Sequence, residues 1–417
     1  MSPVFRNRWW IVAASVLGLV CSAGVVNIFS FGVFLRPMTE GLHVGRATLA
    51  AALLVQNVIT AASGPFLGLA IDRFGARRVF MVGIPFYALT VAAQSQISAS
   101  LLAINLFFIL RGLGGMGQSP ISYAYVVAKW FDRRRGLALG IALSGVGFGT
   151  SIIPPLVAWL IGAYGWREAY LGLALVIIIV SGIPVALFIR DPAPDEHVRV
   201  PDLLAGPLPG LSLREAIRGW RFWGLTIAFL LGVVALNGTI TQIVAMLQDR
   251  GVPLQAATSV LAVSGLAAVA GRLLSGWCVD RFHAPYVGAC FFVLPMIGTA
   301  LFGSGAGGWV PYAGSILCGT ALGAEIDLMG FMVSRYFGLK SYGKIFGTVF
   351  GIFGGATGIG PYLSGLSFDL YHSYLPAFAF YEFALVAICI IFLPLGPYRF
   401  PARHHAAPPA AAEGAPA

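Results

Sequence analysis

Two carboxylates, Glu325 and Asp327, stand two positions apart in "ALGAEIDLMGFMVSRYFG" (321–338). Leu322, Ile326, Leu328, Met329, Phe331 and Met332 surround them, and no basic residue comes before Arg335. Two more charges interrupt equally apolar runs: Arg111, and Arg272 in "AGRLLSGW" (270–277). Burying one unpaired charge in hydrocarbon costs at least about 2.5–3.5 kcal/mol, so all four are expected to face the protein interior and to have work to do. Arg272 is the first candidate for binding an anion. Its planar fork matches a carboxylate through two parallel hydrogen bonds, and it stays charged when buried. A structural ion pair with an acid on a neighbouring helix is the plainer alternative. On a helix of 3.6 residues per turn, Glu325 and Asp327 diverge by about 200°, so they should have different jobs. Burial penalises an ionised Glu325 and its expected proximity to Arg272 favours it, so a carboxyl poised that way could carry a proton. Glu325, nearer the middle of its run, is favoured for the proton; Asp327 is favoured for pairing with an arginine or capping a broken turn.

The rest of the chain must place these groups. It has 417 residues, is 58% hydrophobic and 10% charged, and has a mean hydropathy of +0.85. Soluble domains carry about 25% charged residues, so this is the composition of a membrane protein. The net charge of +10 comes from short basic clusters between apolar runs, not from the continuous patch that nucleic acid requires. The cysteines Cys21, Cys278, Cys290, Cys318 and Cys389 lie in or beside apolar runs without metal-ligand spacing, and read as packing residues. No Gly-Lys-Ser/Thr phosphate loop, nucleophile elbow or zinc spacing occurs, and the histidines sit in loops or the tail. An enzyme, a cofactor and a metal site are therefore not expected.

A helix needs about 20 apolar residues to cross the hydrocarbon. Twelve such runs lie near 9–35, 47–71, 79–98, 100–128, 136–162, 168–189, 221–247, 254–278, 285–304, 309–334, 344–367 and 375–396. The first is too long for a signal-peptide core and no A-x-A cleavage site follows it. With the N-terminus inside, the inner segments hold 20 of the 26 Lys and Arg residues and the outer ones hold only Arg36, Arg46, Arg167 and Arg250. That bias places both termini in the cytoplasm. "GLAIDRF" (68–74) recurs as "GWCVDRF" (276–282), and "KWFDRRRGLALG" (129–140) aligns with "RYFGLKSYGKIFG" (335–347). The near-constant offset implies six helices duplicated to twelve, with substrate bound where the halves meet. The expected organisation is an N-terminal six-helix bundle (1–189), a cytoplasmic linker (190–219), a C-terminal bundle (220–397) and a low-complexity tail (398–417), disordered by composition. Within the linker, Ser212 and Glu215 form a capping-box pattern.

These features resemble the major facilitator superfamily. "GLAIDRFGARR" (68–78) fits that family's loop pattern G-x-x-x-D-R-x-G-x-R-R in full, and "RGLGGMG" (111–117) resembles its fourth-helix pattern of Arg followed by spaced glycines. The resemblance implies an all-α fold of twelve membrane helices in two pseudo-symmetric bundles. It also implies a gating role for Asp72, Arg73, Arg77 and Arg78 and for Asp280 and Arg281 of the second copy. Arg111 is then expected to hold the helix-4 backbone through carbonyl hydrogen bonds, with direct anion contact as the alternative. "NRWWIV" (7–12), "FGVFLRPM" (31–38), the long motif beginning at Lys129 and the helix-8 Arg272 are similar to the oxalate/formate antiporter and monocarboxylate porter branch. Two departures stand out. The oxalate exchanger's helix-11 lysine has no counterpart in "IFGTVFGIFGGATGIG" (345–360), and Ala268 stands where animal monocarboxylate carriers place an Asp.

In this fold the first helix of each three-helix unit lines the path. Asn27, Tyr123, Asn237 and Gln242 thus join Arg272 as candidate substrate contacts, with interhelical hydrogen bonding as their alternative. Glycines crowd helices 5 and 11, as sliding contacts between bundles require. The expectation is a secondary transporter of small organic anions, monocarboxylates foremost, in a bacterial-type inner membrane. Its partners are the carboxylate, protons and the lipid bilayer, it is favoured as a monomer, and proton symport is preferred over anion exchange. Cationic drug efflux and a non-transporting sensor are the readings from other classes.

Overall fold

The structure is a computed structural model that describes residues 8–131, 135–190 and 210–400. Helices run through it from end to end. The first span comprises Trp9–Val20, a π-helical turn Gly24–Phe29, and Phe31–Leu42. The second is Arg46–Phe74 and the third Ala76–Ala93. The fourth joins Leu101–Gly114 to Pro120–Trp130 through a tight turn, and the fifth is Arg135–Tyr164. The sixth is Trp166–Val176 with a π-helical continuation and Ile183–Phe188. In the second half the seventh span pairs Trp220–Ile240 with Ile243–Asp249, the eighth is Leu254–Val279 and the ninth Ala284–Gly303. The tenth is Val310–Phe337, the eleventh Tyr342–Ala356 plus Ile359–Tyr371, and the twelfth Leu375–Phe392.

Ten of these are long and apolar enough to cross a membrane by length and composition. The second span, of 29 residues, and the split eleventh complete the twelve. Prolines stand in the first turn of the fourth span's second helix and of the ninth, tenth and twelfth spans, where a missing N–H costs nothing. Gly338, at φ 76°, closes the tenth span in a conformation that other residues adopt at a penalty.

Of the linker, 191–209 lies outside the described residues, as does 401–417 of the tail. The expected linker helix is present as Leu213–Arg218. The Ser212 side chain accepts from the Glu215 amide and Glu215 accepts from the Ser212 amide. That amide and the Ser212 hydroxyl hold the Glu215 carboxyl below its ordinary range. The linker is tied to the bundle where Leu211 N–H donates to the Phe337 carbonyl at 2.8 Å.

Because the spans are even in number, both chain ends lie at one end of the bundle, here called the termini end. The halves meet along two seams. Spans 5 and 8 cross at Gly147 and Gly265, where a Cβ on Gly147 would lie 2.8 Å from the Gly265 carbonyl oxygen. Further toward the far end, Ser151 donates to the Ala262 carbonyl at 2.7 Å. Spans 2 and 11 touch at Ala61 with Gly354, Leu54 with Gly358, and Arg46 and Ala47 with Gly365. All these contacts run from mid-span to the far end. In contrast, Gly140, Gly343 and Gly347, toward the termini end, have nothing within 4 Å of an added Cβ. The contacts described between the halves thus concentrate from mid-span to the far end.

Candidate functional site

Spans 8 and 10 pack as parallel helices in a four-residue ladder. Ser315 donates to the Val260 carbonyl at 2.6 Å, Gly319 lies on Ser264 and Gly323 on Ala268, each pair 55 positions apart. Small residues at every rung bring the backbones together, as close membrane helix pairs require. The next rung of that register is Arg272 with Asp327. Their side chains meet at 3.5 Å, Arg272 Nε to Asp327 Oδ2, and are 22% and 36% exposed. Just beyond, the helices part around a cavity of about 270 Å³ lined by Ser275, Gly276, Asp280, Asp327, Leu328 and Phe331, among others. Gly265, Val269 and Arg272 follow one another at helical spacing, and the first two press on Gly147 of span 5. Arg272 thus lies on the stripe of span 8 that meets span 5 at Gly147, one turn further toward the termini end.

The structure separates the two acids of span 10. Asp327 faces Arg272, as one sequence alternative had it. Glu325 points the other way, into the C-terminal bundle. It is 1% exposed, and a Cβ on Gly232 would lie 2.7 Å from its Oε1 and from a Phe292 ring carbon. That Oε1 has no hydrogen-bond partner among the described residues. The expected closeness of Glu325 to Arg272 is thus replaced by an Asp327 pair, because the 55-residue register puts Asp327 on the facing stripe.

Arg111 is 1% exposed and has a different shell. Its Nε donates to Asn27 Oδ1 at 2.7 Å and an Nη to the Val26 carbonyl at 2.6 Å. Tyr87 also donates to Asn27 Oδ1, at 2.7 Å, and the Tyr170 ring lies 5.7 Å from the guanidinium carbon. Val26 and Asn27 belong to the π-helical turn of span 1, where the ordinary helix bonds are displaced. Arg111 and Asn27 thus form one cluster that braces the bend in the first span.

The other candidates are dispersed. Tyr123 is buried inside the N-terminal bundle, donating to Gln118 Oε1 at 2.8 Å. Asn237 donates to the Val233 carbonyl of its own helix. Gln242, fully buried, occupies the break of span 7, and neither end of its amide has a partner among the described residues. Its neighbour Thr241 packs through its carbonyl on Gly32 of span 1, so Gln242 sits beside the seam. Of the gating candidates, Arg73, Arg77, Arg78, Asp280 and Arg281 are exposed, and Arg281 donates to the Trp277 carbonyl at 3.3 Å. The side chain of Asp72 lies outside the described residues.

One intramembrane charge escaped the reading of four. Glu382 lies within the twelfth span, half-buried, with its Oε1 unpartnered among the described residues. Its signal was present as the single acid of "LPAFAFYEFALVAICIIF" (375–392).

Comparison with known proteins agrees with this architecture. Two solved structures share the fold. A point mutant of the nucleoside transporter NupG superposes with a TM-score of 0.71 at 16% identity, covering 93% of this chain and 99% of its own. A bacterial homologue of the human lysosomal transporter Spinster gives 0.65 at 16%, covering 95% and 96%. Among relatives, the uncharacterized MFS-type transporter YcxA of Bacillus subtilis (strain 168) is 25% identical over 94% of this chain and 93% of its own length. Monocarboxylate transporter 12-B of Danio rerio is 24% identical over 94% and 87%. The family model described as Major Facilitator Superfamily matches residues 15–361. The chain is accordingly a multi-pass membrane transporter that belongs to the Major Facilitator Superfamily.

Proposed function

We propose that this transporter carries small organic anions, monocarboxylates foremost, together with a proton. The observation that carries the reading is the Arg272–Asp327 pair at 3.5 Å, on the stripe of span 8 that continues from its contact with span 5. In the empty protein Asp327 neutralises Arg272, so no net charge has to be dragged between states. An arriving carboxylate competes with Asp327 for the same guanidinium. Displaced, the Asp327 carboxylate would be left as an uncompensated charge in the span, which is costly. Taking up a proton removes that cost, so anion and proton bind as a unit. The neutral empty form also lets the unloaded transporter return, as symport requires and strict exchange does not. Names of relatives such as monocarboxylate transporter 12-B support the carboxylate class. The Lys and Arg bias supports cytoplasmic termini in an inner membrane.

A thermal-shift screen of lactate-sized, oxalate-sized and aromatic acids on the purified protein would supply the test anion, since a ligand of the native state raises its melting temperature. Accumulation of that acid in proteoliposomes is expected to approach tenfold under an inward proton gradient of one pH unit, the equilibrium limit for one proton per anion. Asp327→Asn should bind and exchange the acid but ignore the gradient. Equal parent rates with and without the gradient would reject symport, and a gradient response retained in Asp327→Asn would move the proton to another group.

A further inference from the structure

The far end of the seam carries a polar cluster that joins the two halves, and it includes residues that the sequence reading passed over as loop charges. Arg46 opens span 2, and its side chain is 8% exposed. Its two Nη atoms donate to both oxygens of Asp249, at the end of span 7, at 2.6 and 2.7 Å. The guanidinium also bonds the Tyr374 hydroxyl and lies 3.6 Å over the Phe368 ring. A second acid from the C-terminal half, Asp369 near the end of span 11, accepts from the backbone amides of Arg46 at 3.0 Å and Ala47 at 2.8 Å. Those amides belong to the first turn of a helix, where donors have no partner within the helix and the dipole favours an anion. Arg36 adds a bond to the Gln248 carbonyl at 3.2 Å. The N-terminal half thus supplies the donors and the C-terminal half the acceptors.

We propose that Asp369 and the Arg46–Asp249–Tyr374 cluster form the latch that holds the far end of the transporter shut, and that breaking it is the step that opens this end. Three features point the same way. The bonds cross between the halves at this end of the seam. The Arg46–Asp249 pair is bidentate and enclosed by aromatic rings, the geometry in which an ion pair holds best. The seam below the latch is sealed: Thr241 of span 7, 1% exposed, rests on Gly32 of span 1. When the latch parts, spans 1 and 7 are free to separate and Thr241 becomes wet. This inference stands on the seam contacts alone and needs no substrate, so its failure would leave the carboxylate reading untouched.

The test uses Thr241→Cys as reporter in the full chain, with the five native cysteines replaced by alanine, in detergent and without added anion. With the latch intact the thiol should react slowly with a polar maleimide. Adding Asp369→Asn or Arg46→Gln should speed labelling at least tenfold while the protein stays monodisperse. Equal rates with and without the latch substitutions would overturn the proposal. A second measurement covers a reporter that fails to fold: spin labels at the exposed loop residues His43 and His372, one in each half. Asp369→Asn should add a longer-distance population to a single narrow one, and an unchanged distribution would equally overturn the latch.

Discussion

Arg111 and Arg272 are the same side chain, each placed within a span of one half of a duplicated fold, yet their surroundings differ. Arg111 is enclosed and bonded to neutral oxygens, the Asn27 amide and the Val26 carbonyl. Arg272 is partly exposed, and its partner Asp327 is a carboxylate, a group whose charge a proton can remove. A guanidinium held by groups that never titrate has a fixed shell and serves as a brace. One held by a carboxylate has a shell that a proton or another carboxylate can change. The halves have therefore diverged in what their arginines can respond to, and the C-terminal half carries the variable one. The acids placed well inside a helix, Glu325, Asp327 and Glu382, also lie in the C-terminal half, whereas Glu40, Asp72 and Glu168 stand in the first or last turn of their helices.

Substitution of the two arginines is the most direct way to break this comparison. Arg272→Lys keeps the charge and loses the fork. Losing one arm of a charge-assisted hydrogen-bond pair costs about 1.5–3 kcal/mol, so anion affinity should fall on the order of 10- to 100-fold. Melting should hardly move, because the pair it loses is loose and part-exposed. Affinity within a few-fold of the parent, measured by thermal shift against anion concentration, would remove Arg272 from the site. Arg111→Met should show the reverse pattern. It leaves the Val26 carbonyl without its donor and Asn27 Oδ1 with only Tyr87, a loss of about 2–4 kcal/mol in stability. The protein that survives should retain parent-like anion affinity. A variant that melts normally but no longer binds anion would turn Arg111 from brace to ligand.

What could be read from the sequence follows from how local each signal is. The twelve spans, the duplication and the linker cap rest on runs, repeats and a three-residue spacing, and each of them is there in the structure. The Arg272–Asp327 rung was open to pattern reading only as one of two options. Choosing between Asp327 and Glu325 needs the register of span 8 on span 10, which the small residues Ala268 and Gly323 set through contact. The brace at Arg111 was half legible. An arginine seeking carbonyls was expected, but its target in the π-helical turn of span 1 depends on a bend that no spacing announces. The latch was invisible, since Arg46 and Asp369 lie 323 positions apart and meet across the two halves. Glu382 was legible and was overlooked, one acid in a long aromatic run.

The two acids of span 10 give the finest test of the comparison. The sequence favours Glu325 as the proton carrier because it lies nearer mid-membrane, whereas the geometry gives Asp327 the one ion pair with Arg272 among the described residues. If coupling requires the proton and the anion to compete at one guanidinium, an acid on the opposite face of the helix cannot report anion binding directly. Glu325→Gln preserves the shape that fills the space against Gly232 and Phe292 and removes only the titratable group. Proton-driven accumulation should then stay within about twofold of the parent, a change under about 0.5 kcal/mol. Accumulation abolished in Glu325→Gln but intact in Asp327→Asn would reverse the assignment. Coupling would then run through the interior of the C-terminal bundle, with Asp327 reduced to a counter-ion for Arg272.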